Sequence, residues 1–258
     1  MDLTEARGVV SRRHPWEVAR ARFFLKLLRE AGVMSAPRAA IDVGAGDGYL
    51  GRTVLADLPA GSRMICYDLH YSDADLATFG AAADAGLTFT RQRPPGRFDL
   101  ILLLDVLEHV PDDRAFLEEI VADALAPGGT VMVSVPAWQR LFSAHDEALK
   151  HYRRYSPDGL RAMLSEVGLV VRRSGGAFHS LLLSRAFGVA RERVRRWLGR
   201  APTPPRNLGD WKAGAATSAV IEGALFLDNA LSLLVSRFGT GLAGLTIWAV
   251  ASGPADRT

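Results

Sequence analysis

Apolar residues along the chain fall into short runs, each closed by a glycine or a polar residue and followed by apolar positions at helical spacing. Ala39–Val43, Arg63–Tyr67, Leu87–Thr90, Leu100–Leu104 and Thr130–Val135 are such runs, with helical segments between them. That alternation predicts βαβ units and a mostly parallel, doubly wound α/β sheet. Ahead of it, Val18–Ala31 places Phe23, Leu27 and Leu28 at helical spacing, and Gly32 closes the helix. Behind it, Ser156-Pro157-Asp158 combines a capping residue with proline at the first helical position and opens a helix to Val167, with Gly168 at its end. Leu169–Arg173 is then a sixth strand, Leu181–Arg200 a basic and apolar segment and Ala201–Asn207 a proline-rich linker. Thr217–Phe238 is a further helix and Leu245–Ala251 a last strand. The pattern divides the chain into an N-terminal helical cap (1–37), a core (38–180), a helical insertion or cap (181–240), and a closing strand with its tail (241–258).

At 258 residues, 48% hydrophobic and 23% charged, the chain has the make-up of an ordinary globular protein with a sizeable core. Its single cysteine, Cys66, excludes an intramolecular disulfide and a cysteine-rich zinc site, and its position predicts a buried apolar role in the second strand. The opening stretch MDLTEARGVVSRRHPWEVAR lacks the apolar region of a signal peptide, and no uncharged apolar run of about 18 residues occurs, so the expectation is a cytoplasmic, non-spanning protein. A net charge of +3 is too small to argue for nucleic acid by itself.

The first strand runs into Asp42-Val43-Gly44-Ala45-Gly46-Asp47-Gly48 and then a helix, an arrangement that lets a ligand approach the backbone beside a helix N-terminus. A dinucleotide fingerprint needs glycine where Tyr49 stands, and a phosphate loop needs Gly-Lys-Ser/Thr where Gly51-Arg52-Thr53 stands, so neither fits. A carboxylate at the strand end, Asp42, repels pyrophosphate and suits a ligand carrying an ammonium or sulfonium charge. Asp68 ends the second strand, where its two oxygens can accept hydrogen bonds from both hydroxyls of a ribose. The implied ligand is a nucleoside with a cationic group.

Asp-x-Gly-x-Gly-x-Gly followed by an acidic residue at the next strand end resembles the class I S-adenosylmethionine-dependent methyltransferases. FDLILLLDVLEHV (Phe98–Val110), LAPGGTVMVSVPAW (Leu125–Trp138) and LTIWAVASG (Leu245–Gly253) extend the resemblance in the family's order. It implies a Rossmann-like seven-stranded sheet, mostly parallel, with an N-terminal helix and a helical insertion before the last strand, and S-adenosylmethionine as cofactor. By that resemblance Asp42, Gly44, Ala45, Gly46 and Gly48 line the methionine portion, Asp68 and Leu69 the ribose side, and Asp105 and Val106 the sulfonium. The family often places an aspartate after the third strand for adenine; here Gln92 stands in that region.

In an open α/β sheet the acceptor lies beyond the carboxyl ends of the strands. Asp105, Glu108 and His109, with His145 to complete the set, resemble the metal-binding cluster of some quinone-biosynthesis and small-RNA methyltransferases; a divalent metal there is the less favoured reading. Ser143–Tyr155 carries imidazole, carboxylate, phenol and guanidinium groups, more polar chemistry than a connection requires. It resembles an HD-x4-HYRRY stretch of a group of bacterial small-molecule methyltransferases, which implies an N-terminal pattern matched by His14, Trp16 and Arg20. Methyl transfer to a hydroxyl needs a base, for which His145 with Asp146 is the first candidate and His151 the second. Trp16, Arg20, Tyr152, Arg153 and Tyr155 are candidate acceptor-binding residues, the guanidinium of Arg153 suiting an acidic group.

The expected function is methylation of a small-molecule acceptor, most readily at oxygen, in biosynthetic or specialised metabolism. Nucleic acid is disfavoured as acceptor, because the fourth strand ends in Asp105-Val106-Leu107-Glu108 and not in the Asn-Pro-Pro-Tyr of enzymes that act on flipped adenine. Two alternatives remain open: methylation of a lipid or prenylated precursor by a protein touching the membrane through 181–200, and a non-catalytic protein that only binds the cofactor.

Overall fold

The computed structural model describes residues 13–36, 38–199, 213–237 and 242–254. The proline-rich linker expected at Ala201–Asn207 lies outside the described residues. Seven strands, β1 (Ala39–Val43), β2 (Arg63–Tyr67), β3 (Leu87–Thr90), β4 (Phe98–Leu104), β5 (Leu125–Pro136), β6 (Val170–Ala177) and β7 (Thr246–Ser252), form one sheet in the order β3-β2-β1-β4-β5-β7-β6. Only β7 is antiparallel, to both β5 and β6. The chain builds outward from β1 to β3 and then returns to lay β4 on the other side of β1. That reversal opens a crevice at the carboxyl ends of β1 and β4.

One face of the sheet is covered by α1 (Pro15–Glu30), α2 (Tyr49–Leu55) and α8 (Ala215–Ser236), whose Phe23, Phe24, Leu27 and Leu225 pack on Ala40, Leu102 and Trp248. The other carries α4 (Asp113–Ala124) and α6 (Pro157–Glu166), with Leu117, Ile120, Leu160 and Leu164 against Ile101, Val133 and Ala249. α3 (Asp73–Ala81) flanks β3 and buries no residue; α5 (Ala144–Ala148) and α7 (His179–Trp197) lie beyond the carboxyl ends of the strands. Cys66 is buried in β2.

β1, β2 and β3 have the bounds the apolar runs predict. α1 begins at Pro15 and not at Val18, because His14 caps it by accepting from the Trp16 N–H and Pro15 supplies a helical φ at N1. α5 was not foreseen, although Ser143 and Asp146 form a reciprocal capping box at its start. β6 runs four residues past the predicted end, because Gly175 and Gly176 are what let β7 and the turn before it approach. A Cβ on Gly175 would lie 2.7 Å from the Trp248 ring, and one on Gly176 would lie 2.3 Å from the Leu242 carbonyl oxygen.

α8 packs on α1 and β6 through a face rich in polar groups. The Asn229 side chain accepts from the Phe178 N–H at 2.8 Å, Ser232 donates to the Gly176 carbonyl, and Ser236 accepts from Arg173 at 3.0 Å. Trp248 anchors the same region from within the sheet, edge-on to Phe23 and donating its indole N–H to the Gly176 carbonyl at 3.1 Å. Replacing Trp248 by Ala leaves a cavity where sheet and helix layer meet and is expected to lower stability by about 3–5 kcal/mol. Urea unfolding monitored by circular dichroism measures it, and a loss under about 1 kcal/mol would show that Trp248 does not hold the layers together.

Candidate active site

The glycine loop joins β1 to α2 with Gly44, Gly46 and Gly48 all at positive φ (69°, 56° and 71°), a backbone path that side chains with a Cβ rarely follow. Two of them also relieve crowding: a Cβ on Gly44 would sit 2.9 Å from Val106, and one on Gly48 would sit 2.4 Å from Phe89. The loop is therefore shaped by its neighbours as well as opened to a ligand. A cavity lies between it and α1, lined by Glu17, Arg20, Asp42, Ala45, Asp47 and Tyr49 among others.

Three carboxylates face this cavity, and their compensation is uneven. Asp47 accepts from Arg13 at 2.6 Å, and that guanidinium also stacks on the Tyr49 ring. Asp42 is buried, and burial pushes its carboxyl up to about 7. Glu17 is buried too, its carboxyl raised by the same desolvation; among the described residues its Oε2 has no hydrogen-bond partner, and Arg13 Nη1 stands 3.7 Å from it. A cavity with an orphaned carboxylate oxygen and a second carboxylate partly driven to its neutral form is one that a cation fits. The spacing predictions missed Glu17. Its signal was a carboxylate on the helical stripe that also carries Phe24 and Leu28.

Asp68 stands at the tip of β2 with Oδ2 accepting from the Gly46 N–H at 3.1 Å and Oδ1 from the His70 N–H at 2.9 Å. Each oxygen retains a lone pair, so the carboxylate is fixed in place and can still receive ribose hydroxyls. Leu69 beside it is 70% exposed, an apolar surface at the strand tip. Gln92 is exposed past β3. Asp105 ends β4 at φ 60°, a conformation aspartate tolerates better than most residues, and is held by Ser134 Oγ at 2.9 Å and Arg20 Nη2 at 2.8 Å. Arg20 is thus tied to Asp105 beneath the rings of Trp16 and Phe24. Trp16 is half-buried and meets Phe178 at 5.7 Å between ring centroids.

Beyond β4 and β5 the HYRRY stretch folds around two carboxylates. Asp146 is fully buried and receives His151 Nδ1 at 3.1 Å, Arg154 Nε at 2.7 Å and Arg185 Nη2 at 2.7 Å. Burial alone would raise its carboxyl, but the His151 hydrogen bond and the two guanidiniums bring it below the usual carboxylate range. Asp113 takes Arg153 Nη1 at 2.6 Å and the Tyr155 hydroxyl at 2.6 Å, so these two candidate acceptor ligands are engaged within the fold. Tyr152 remains exposed. The imidazole that Asp146 holds is that of His151 and not of His145, whose basicity is lowered by burial and then by the Arg185 charge.

Asp105, Glu108, His109 and His145 do not assemble as one cluster. Ligating atoms of Glu108, His109 and His151 instead lie within 4.8 Å of one another, the two imidazoles meeting edge to face. Glu108 is buried with Oε2 unpartnered, and desolvation followed by the Asp105 charge raises its carboxyl well above the ordinary value. It can therefore stand as a neutral acid next to His151.

A family model described as a methyltransferase domain matches residues 15–174. No curated protein matches the sequence. Among solved structures, the cyclase SpnF is similar with a TM-score of 0.56 and 15% identity over 98% of this chain and 90% of its own. The N-methyltransferase NodS from Bradyrhizobium japonicum, in complex with S-adenosyl-L-homocysteine, gives a TM-score of 0.52 at 12% identity over 98% of both chains. An O-methyltransferase family protein from Burkholderia thailandensis is similar over 59% of this chain at 18% identity with a TM-score of 0.48; the chain spans about half, 52%, of that protein's length. At such identities the likeness to SpnF and NodS speaks for the fold alone.

Asp42 attracts a cation only when ionised, and below about 7 it takes up a proton and loses its charge. Affinity for S-adenosylmethionine is therefore expected to fall as pH drops through that value, approaching about tenfold per pH unit, and Asp42→Asn should flatten the dependence. Calorimetric titration on either side of neutrality reads this directly; a wild-type affinity that stays constant in acid would remove Asp42 from the cation site.

Proposed function

Since the chain belongs to the methyltransferase-domain family, we propose that it transfers a methyl group from S-adenosylmethionine to a hydroxyl of a small-molecule acceptor in biosynthetic or specialised metabolism. The observation that carries the reading is the pairing, along one edge of the sheet, of a carboxylate-lined cavity between α1 and the loop after β1 with a His–Asp pair beyond β5. The bound cofactor supplies a methyl group made electrophilic by its sulfonium.

Asp42 and Glu17 balance the positive charges of that ligand, Asp68 holds the ribose, and Leu69 offers its apolar side chain beside it. The displacement is in line, so the protein's main task is alignment, with proton removal when the acceptor is a hydroxyl. His151 is the base: Asp146 fixes its Nδ1 and stabilises the imidazolium formed when the other nitrogen takes the acceptor's proton. Glu108, kept neutral by burial, can donate a hydrogen bond to the acceptor oxygen and orient it. Tyr152 is the exposed member of the stretch and is free to contact the acceptor's body. A lipid or prenylated acceptor is a second reading, favoured by the apolar outward faces of α7 and α8.

Incubation with S-adenosylmethionine and a panel of phenols, catechols and hydroxy acids, followed by mass spectrometry, is expected to yield O-methylated product and S-adenosylhomocysteine. With the acceptor so found, His151→Ala should lower kcat by two to four orders of magnitude, roughly, without weakening cofactor binding, whereas His145→Ala should keep most of the activity. A His151 variant as fast as the wild type would exclude that residue as base, and cofactor binding with no demethylated product across a broad acceptor panel would favour a binding protein.

A further inference from the structure

α7 and α8 each carry an apolar stripe on the outward face as well as apolar residues turned to the core. A helix on the surface of a water-soluble protein turns its apolar stripe to the core. At 100° per residue, Leu183, Phe187, Val194 and Trp197 of α7 and its C-cap Leu198 share an arc of roughly 100°, and all are exposed, Trp197 by 84% and Phe187 by 72%. The opposite side of α7 is engaged with the fold: Val189 is buried, Leu181 packs against the core, Arg185 bonds Ser143 and Asp146, and the Glu192 side chain accepts from the Ala144 N–H at 3.3 Å. α8 repeats the arrangement. Val220, Leu227, Leu231 and Leu234 share an outward arc of roughly 60°, with Leu227 70% exposed, while Ser218, Asn229, Ser232 and Ser236 face inward beside Leu225 and Leu233.

The two helices are joined where α7 starts, by the Asp228 carboxylate accepting from the Ser180 N–H at 3.0 Å and hydroxyl at 2.8 Å. Arg191 and Arg193 lie on the two borders of the α7 stripe, each about 80° from Leu183, both exposed, with Arg193 also donating through Nη2 to the Arg140 carbonyl at 2.6 Å. An apolar stripe bordered by arginines matches the boundary between headgroups and acyl chains of an anionic bilayer, with the guanidiniums at phosphate level and the side chains between them below it. We propose that the outward faces of α7 and α8 seat the protein on the surface of an anionic phospholipid membrane.

α8 is long and apolar enough to cross a membrane, but its inward face is bonded to β6 and packs Leu225 and Leu233 into the core, so it lies along the surface with the sheet intact. The seat involves no residue of the cofactor cavity and stands whether or not methyl transfer occurs. Because Arg185 joins α7 to Asp146, docking sets the acceptor side of the sheet against the lipid.

Flotation of the full-length protein with phosphatidylcholine vesicles, and with vesicles that also contain phosphatidylglycerol, tests the seat. Co-flotation is expected only with the anionic vesicles. Phe187→Glu with Leu227→Glu should abolish it, and Arg191→Gln with Arg193→Gln should weaken it about twentyfold, both with wild-type circular dichroism and melting because all four side chains are exposed. Protein left in the aqueous fraction with anionic vesicles overturns the proposal. So does a dimer on light scattering that Phe187→Glu with Leu227→Glu converts to monomer, since the face would then belong to a second copy.

Discussion

Burying a carboxylate costs several kcal/mol unless cations or hydrogen-bond donors compensate it, and the carboxyl edge of this sheet buries Asp42, Asp68, Glu108 and Asp146 together, with Asp105 half-buried among them. The elements beyond the sheet are arranged around that cost. Arg20 comes down from α1 to Asp105, Arg154 and His151 fold back on Asp146, and Arg185 reaches in from α7 to the same group. Backbone N–H groups of Gly46 and His70 satisfy Asp68. Glu108 keeps an unpartnered oxygen and a carboxyl raised by burial, and among the described residues a deficit of positive charge is left around Glu17 and Asp42, which is why the cavity beside the glycine loop suits a cationic ligand.

The same network couples parts of the chain that a linear reading keeps separate. Asp146 is bonded from its own loop and from the helical insertion, so α7 and the His151 imidazole share one anchor. The insertion divides its labour: the inner face of α7 braces the loop that carries His151, the inner face of α8 closes the sheet's helical layer, and the outer faces of both are left apolar.

The sheet was legible because strands buried on both faces read as continuous apolar runs, and β1 to β3 announce their own ends through Asp42, Asp68 and a turn. The positions of Asp42, the glycines and Asp68 were legible as well, since they sit at strand tips that the pattern locates. The acceptor side was not. Whether Asp146 turns to His145 one residue away or to His151 five residues on depends on the capping box and the chain reversal after α5, where Lys150 adopts φ 59°. Arg153 and Tyr155 read as open ligands because their partner, Asp113, is some forty residues earlier. The partners of the α8 serine and asparagine side chains, the Gly176 carbonyl and the Phe178 N–H, lie some fifty residues earlier, so the pairing is a product of the fold and not of a local pattern.

The central claim is that the uncompensated carboxylates at the tip of β1 and on α1 bind a sulfonium nucleoside. Calorimetric titration of the purified protein with S-adenosylmethionine, beside the uncharged nucleoside adenosine as control, tests it most directly. Saturable one-site binding of S-adenosylmethionine, far tighter than any binding of adenosine, is the predicted result; no heat with S-adenosylmethionine, or equal affinity for both, contradicts the account.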